Sequence, residues 1–263
     1  MDLEVYRQLK GKIHSVVGIN LDPYKDEQMR RRLDSWLARS GAPNWDAYFE
    51  RIKRDEVELR RFRDYLTINV TEFFRDPERW KYLRENILPE LIQSALKRNR
   101  QVRIWSAGCS TGAEPYTLAM LLEELSPGKK AYILATDLDR GALEKARMGG
   151  PYVAEEVRNI SPIQRSSFFK PGGPPFYVNS FLIEKVTFRE LDLIFGEYER
   201  DFDLIVCRNV VIYFTTETKQ LLYQRFSDSL RSGGVLFVGG TEIIPRPQEF
   251  SFRSTGFSFY VKS

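Results

Sequence analysis

The chain has 263 residues, 42% hydrophobic and 29% charged, with a formal net charge of +4. That length supports one large domain or two modest ones with ample core. No apolar run approaches the ~18 residues of a membrane span, and the mild positive balance falls short of the dense basic footprint of a nucleic-acid binder.

The first part reads helical. Leu3, Tyr6, Leu9, Ile13 and Val16 recur at helix spacing, and the opening "MDLEVYRQLKGK" lacks the basic-then-apolar order of a secretory signal. A second helix is predicted to open at Asp22-Pro23 and close at Gly41, with Met29, Leu33, Trp36 and Leu37 as its apolar stripe. Asn44 caps a third helix carrying Trp45, Tyr48, Phe49 and Ile52, and Asp55 caps a fourth carrying Val57, Leu59, Phe62 and Leu66. "TINVTEFFRDP" (67–77) breaks the helical period. A linking helix starts near Pro77 and is kinked or restarted by Pro89. The expected division is a helical domain over 1–76, a linking helix over 77–98 and a second domain over 99–263.

From residue 101 short apolar runs alternate with helical segments: "VRIWSAG", "EPYTLAMLLEEL", "AYILATDLD", "FDLIVCRN", "TKQLLYQRFSDSLRSGG", "VLFVGG". Runs that are apolar on both faces, alternating with helices, predict an α/β fold with a mostly parallel sheet. One stretch, about 151–188 around "KPGGPP", reads as a small β insertion. "FSFRSTGFSFYVK" reads as one or two final strands around a turn.

Within the first strand–helix junction, Gly108-Cys109-Ser110-Thr111-Gly112 has the G-x-S-x-G form of a hydrolase nucleophile elbow. That chemistry needs a histidine after the serine, and the single histidine, His14, lies far upstream. The same absence disarms Cys109 as a Cys–His nucleophile. His14 itself reads as a surface or part-buried structural residue. The two cysteines, Cys109 and Cys207, form no metal-ligand spacing, so no metal and a reducing, cytoplasmic setting are expected.

The small residues of the junction therefore serve another end. Ligands of open α/β sheets sit over the carboxyl ends of strands where strand order reverses, and glycines there let a ligand approach the backbone. Ser110 and Thr111 then turn the chain or cap the helix. The second strand ends at Asp137, a place where an acid commonly bonds ribose hydroxyls. The loop is G-x-x-x-G followed by Glu114, not the dinucleotide fingerprint. Glu114 either favours its own helix dipole or meets a positively charged ligand. Taken with Gly108, Gly112 and Asp137, it favours S-adenosylmethionine (SAM), whose sulfonium and ammonium are cationic and whose adenosine carries a ribose.

Four stretches, in this order, resemble the chemotaxis receptor glutamate methyltransferases of the CheR family: "TINVTEFFRDP" (67–77), "RIWSAGCSTGAEPYTLAM" (103–120), "ATDLD" (135–139) and "FDLIVCRNVVIYF" (202–214). The likeness runs over almost the whole chain. One departure is Ala113, where the family often has a first acid before the proline. The resemblance implies a Rossmann-like SAM-dependent methyltransferase domain behind a small all-α N-terminal domain. It implies SAM contacts at Asn69, Thr71, Arg75, Glu114, Asp137, Asp192, Leu193, Arg208 and Asn209, beside Gly108 of the glycine loop. It sets Arg75 and Tyr213 beside the transferred methyl. Each has a plainer reading: Asn69 and Thr71 as turn residues, Arg75 paired with Asp76 or Glu72, Asp192 capping a loop, Tyr213 as a core aromatic. Arg208-Asn209 directly ends a buried run and is less easily explained so.

The reaction the resemblance implies moves a methyl group from SAM to glutamate side chains of chemoreceptors, giving methyl esters and S-adenosylhomocysteine. A glutamate of pKa about 4.3 is ionised about 500 to 1 at pH 7, so no general base is needed, and the missing histidine is no obstacle. Arg30, Arg31, Arg32 and Arg39 make a basic helix that either meets an acidic helical bundle or is simply a solvated face. The "KPGGPP" loop is short beside family members that grip a tethering receptor peptide, so no tether is expected. A monomer that inserts in no membrane and binds no nucleic acid is expected. The alternatives are a methyltransferase acting on a small molecule or RNA, and a non-enzymatic module that binds SAM or its product and signals.

Overall fold

In the computed structural model, which spans the chain, all residues are described except Ile68 and Phe257. Ile68, in the predicted break, and Phe257, in the predicted final turn, lie outside the described residues. The chain forms two compact units. One comprises Met1–Asn69 with Ile212–Lys219; the other comprises Val70–Val211 with Gln220–Ser263.

The first unit is built on α1 (Leu3–Val17), α2 (Asp26–Ser40), α3 (Trp45–Ile52) and α4 (Glu56–Thr67). Tyr6, Leu9, Ile13, Leu33, Tyr48 and Phe62 are its buried centre, while Leu3, which shares the helical spacing, is exposed and Val17 takes the buried end of the stripe. Asn44 caps α3 by accepting the Ala47 N–H at 2.9 Å, and Asp55 accepts the N–H groups of Val57 and Glu58 at 3.1 and 3.0 Å at the start of α4, as their side-chain chemistry requires. The start of α2 is corrected: it begins at Asp26, not at Asp22-Pro23. Residues 23–25 are extended because they are hydrogen-bonded to 213–215. Thr215 N–H donates to Pro23 O and Lys25 N–H donates to Tyr213 O, each at 2.9 Å, and Tyr24 bridges Phe214. A distant segment thus outcompetes the local helix signal. Gly41, at φ 71°, ends α2 as expected.

The second unit starts with α5 (Pro77–Tyr82), a π turn (Leu83–Ile87) and α6 (Leu88–Lys97). Pro89 lies in the first turn of α6, so the linking helix restarts there through a widened turn. The sheet holds β1 (Val102–Ala107), β2 (Ala131–Asp137), β3 (Val186–Glu190), β4 (Phe202–Cys207), β5 (Leu230–Val238), β6 (Phe252–Gly256) and β7 (Phe259–Lys262), in the order β3-β2-β1-β4-β5-β7-β6. The first five strands run parallel, with Val102 opposite Ala131 and Ile104 opposite Leu204, and β7 is antiparallel to β5 and β6. Helices α7 (Ala113–Leu125), α8 (Arg140–Arg147) and α11 (Thr216–Ser229) complete the α/β pattern. The segment read as a β insertion carries two short helices, α9 (Pro162–Phe168) and α10 (Ser180–Ile183), tied by isolated antiparallel bridges Tyr152–Phe176 and Phe169–Val178. Its last residues enter β3 at the sheet edge, where a half-exposed strand lacks the continuous apolar run of its neighbours.

The chain leaves β1 toward β2 and β3, then returns to β4 on the other side of β1. Strand order therefore reverses between β1 and β4. At the opposite edge, fully buried Asp203 at the start of β4 accepts two 2.7 Å bonds from Arg100, one of 2.8 Å from the Arg103 N–H, and another from Arg231. A buried carboxylate so paired fixes the amino ends of the strands.

Candidate active site

At the carboxyl end of β1 the backbone turns through three positive φ angles: 82° at Gly108, 49° at Ser110 and 94° at Gly112. The glycines are demanded by protein neighbours. A Cβ on Gly108 would sit 2.5 Å from Val210 Cγ2, and one on Gly112 would sit 2.9 Å from Ala146 Cβ. Ser110 turns the chain and its N–H donates to Asp137 Oδ2 at 2.7 Å. Neither Ser110 nor Thr111 caps α7: Gly112 is the cap residue and no side chain bonds there. Thr111 Oγ1 is buried and finds no hydrogen-bond partner among the described residues. Strand, strained serine and helix do resemble a nucleophile elbow, but His14 lies exposed on α1 in the other unit. Burial pushes the Cys109 and Cys207 thiols well up, so neither is a ready thiolate.

Two carboxyls flank this turn. Glu114, in the first turn of α7, accepts the Ser106 hydroxyl at 2.8 Å. Burial pushes its pKa up to about 7, opposed by the Arg208 charge and the Ser106 bond and reinforced by Glu242. Asp137, ending β2, accepts the N–H groups of Ser110 at 2.7 Å and Asp139 at 2.9 Å, and burial pushes it up to about 6 despite those bonds. No ion pair reaches either carboxyl among the described residues. Leu191 N–H donates to Asp137 O at 2.9 Å, which brings Asp192 and Leu193 to the same edge. Asp192 Oδ1 accepts the Ile194 N–H at 2.7 Å and so does cap its loop, and Arg225 holds the Leu193 carbonyl at 3.1 Å.

The other wall comes from the ends of β4 and β5 and from the break after α4. Arg208, 6% exposed, donates from Nη2 to Arg75 O at 2.8 Å and to Asp76 Oδ2 at 2.6 Å, with its guanidinium over the Phe237 and Trp80 rings at 4.8 and 5.4 Å. Asp76 therefore pairs with Arg208, and Glu72 with Arg158 at 2.7 Å. The Arg75 guanidinium pairs with neither and donates to Val70 O at 3.1 Å. Thr71 lies half-buried four residues before Arg75. Asn209, at φ 60°, gives its N–H to Glu242 Oε2 at 3.0 Å. Glu242 escaped the sequence reading. The only signal for it was an acid four residues past the last parallel strand, in "VLFVGGTE".

The second unit thus brings Gly108, Glu114, Asp137, Asp192, Leu193, Arg208 and Asn209 to the carboxyl ends of its parallel strands, with Thr71 and Arg75 in its opening segment. Asn69 and Tyr213 belong to the first unit. Asn69 donates to Thr67 Oγ1 at 3.4 Å. Tyr213 lines an open depression of about 370 Å³ with Gln28, Arg31, Arg32, Ser35 and Tyr65. Arg32 and Arg39 stack on Tyr65 at 4.5 and 4.7 Å, and Arg31 is exposed. Arg30 turns elsewhere, to the Met1 carbonyl.

Residues 69–259 match the family described as CheR methyltransferase, SAM binding domain, and residues 4–67 match CheR methyltransferase, all-alpha domain. The chain belongs to the CheR family. The chemotaxis protein methyltransferase of Listeria monocytogenes is 40% identical over 248 residues, covering 94% of this chain and 93% of its own. That of Escherichia coli is 34% identical, covering 90% and 83%, and chemotaxis protein methyltransferase 1 of Pseudomonas aeruginosa is 32% identical, covering 92% and 90%. This CheR chain is a SAM-dependent methyltransferase with an all-α domain before its SAM-binding domain. Among its described residues no helix is long and apolar enough to cross a membrane.

Proposed function

We propose that this enzyme methylates glutamate side chains of chemoreceptors, giving glutamyl methyl esters and S-adenosylhomocysteine in the cytoplasm. The observation that carries the cofactor side is the pair of carboxyls, Glu114 and Asp137, held without a cation over the carboxyl ends of β1 and β2. That donor set suits a cationic ligand that also carries ribose hydroxyls. When bound, SAM supplies an activated methyl on a sulfonium. Glu114 offers charge to the cationic end, Asp137 receives ribose hydroxyls, and Asp192, Leu193, Arg208 and Asn209 line the rest. The acceptor side rests on the names of the relatives and on chemistry: a glutamate is already an anion at pH 7. The protein needs only to orient that carboxylate and exclude water. Arg75, whose guanidinium donates to the Val70 carbonyl, can hold a carboxylate by two hydrogen bonds. The exposed face of α2 with Arg31 and Arg39, beside half-buried Arg32, docks the acidic receptor helices.

The test is to incubate the protein with methyl-labelled SAM and chemoreceptor-containing membranes from its own source, then treat with alkali. Label released from the receptor band as methanol, and lost in Arg75→Ala, is the expected result. SAM binding by calorimetry without any label on receptor would sink the acceptor assignment. Absence of SAM binding would sink the cofactor site as well.

A further inference from the structure

We infer that Glu242 is a positioning residue of the SAM site, holding the carboxyl ends of β4 and β5 together and aiming Arg208-Asn209 at the cofactor. The inference rests on the SAM reading of that site. Glu242 is 4% exposed and lies in the loop after β5. A single oxygen, Oε2, accepts the N–H of Asn209 at 3.0 Å and also the N–H of Gly239. Asn209 lies two residues beyond the end of β4, where the strand ladder has stopped, and the carboxylate supplies the partner its N–H needs. Gly239 is required by the same contact. A Cβ there would sit 2.5 Å from Glu242 Oε2 and 2.8 Å from the Asn209 nitrogen. The turn is closed by Glu242 N–H to Gly239 O at 3.0 Å and by Ser258 Oγ to Gly239 O at 3.2 Å.

A neutral amide could accept the same two N–H groups. A buried carboxylate costs more, and what it adds is charge. Arg208 faces it from the end of β4, Glu114 from the start of α7, Tyr223 from α11, and the neutral Cys207 thiol from β4. Glu242 is therefore a like-charged neighbour of Glu114 and an oppositely charged neighbour of Arg208. No part of the proposed transfer step passes through it; it acts through Asn209, Arg208 and Glu114.

The experiment is SAM calorimetry across pH, with melting temperature, on Glu242→Gln and Glu242→Asp. Glu242→Gln keeps shape and removes charge. It is expected to stay folded, to bind SAM about tenfold more weakly, and to move the pH midpoint of binding below that of the wild type, because Glu114 loses a like-charged neighbour. Glu242→Asp keeps the charge but withdraws the oxygen from Asn209. It is expected to weaken SAM binding with the midpoint unmoved. Wild-type affinity and midpoint in a folded Glu242→Gln, whatever its melting temperature, would reduce Glu242 to a loop staple and overturn the proposal. If Glu242→Gln fails to fold, wild-type affinity in Glu242→Asp overturns it equally. Failure of the wild-type protein to bind SAM would instead strike the cofactor reading on which this rests.

Discussion

Burial pushes the Glu114 and Asp137 carboxyls up to about 7 and about 6, and this has two consequences of opposite sign. For folding, both values lie above those of the unfolded chain. Their contribution to stability is fully present below the unfolded pKa values of 4.5 and 3.8 and is lost as pH rises through the folded values. For binding, a cationic cofactor favours the ionised carboxyls. Affinity for SAM should therefore climb as pH rises from about 5 to about 8, with protons released on binding in that window. The rise in melting temperature caused by SAM should be larger at pH 8 than at pH 5.5. Calorimetry in two buffers of different ionisation enthalpy measures the proton release. In Glu114→Gln the upper part of the pH dependence should vanish; a steep rise through pH 7 in that variant would remove Glu114 from the cofactor contact.

At the scale of elements, the turn from β1 to α7 is where sequence and packing bind each other most tightly. Gly112 sits at φ 94° with its hydrogen facing Ala146 of α8, so Gly112→Ala must strain the backbone and push α8 away. A loss of about 1–3 kcal/mol is expected in denaturant unfolding, with SAM affinity falling as Glu114 shifts. Stability equal to wild type would mean the turn relaxes freely. Much of this region was legible in the residues: the glycine spacing, the acid ending β2 and the polar pair ending β4 are signals local to one strand end. The capped starts of α3 and α4 were legible for the same reason, since Asn44 and Asp55 act within three residues of themselves. What escaped depends on chain distance. Asp22-Pro23 has the form of a helix start, yet pairing of residues 23–25 with residues 213–215 holds it extended. Glu242 reaches Asn209 across 33 residues, and no periodicity encodes such a reach. The edge strand β3 was absorbed into the preceding irregular segment because one-sided burial weakens its apolar run.

At the scale of the whole molecule, a net charge of +4 matters by where it is exposed. On α2, Arg30 is engaged by the Met1 carbonyl and Arg32 by Tyr65, whereas Arg31 and Arg39 present their charge to solvent. Tyr65 serves as the platform on which Arg32 and Arg39 stack, so the basic face is partly pre-ordered. An ordered cationic face meeting an acidic helical receptor should speed encounter and lower KM in a way that salt erodes, because screening acts over about 10 Å at 0.1 M. The variant to test is Arg31→Ala with Arg39→Ala, which leaves the buried contacts of Arg32 and the second unit untouched. Its KM for receptor membranes should rise about tenfold at low salt, with kcat and SAM affinity unchanged. At about 0.5 M salt the two proteins should converge, since wild type loses by screening what the variant lost by substitution. A KM that is equal in the two proteins at every salt concentration would return these arginines to the status of a solvated face and move receptor docking to another surface.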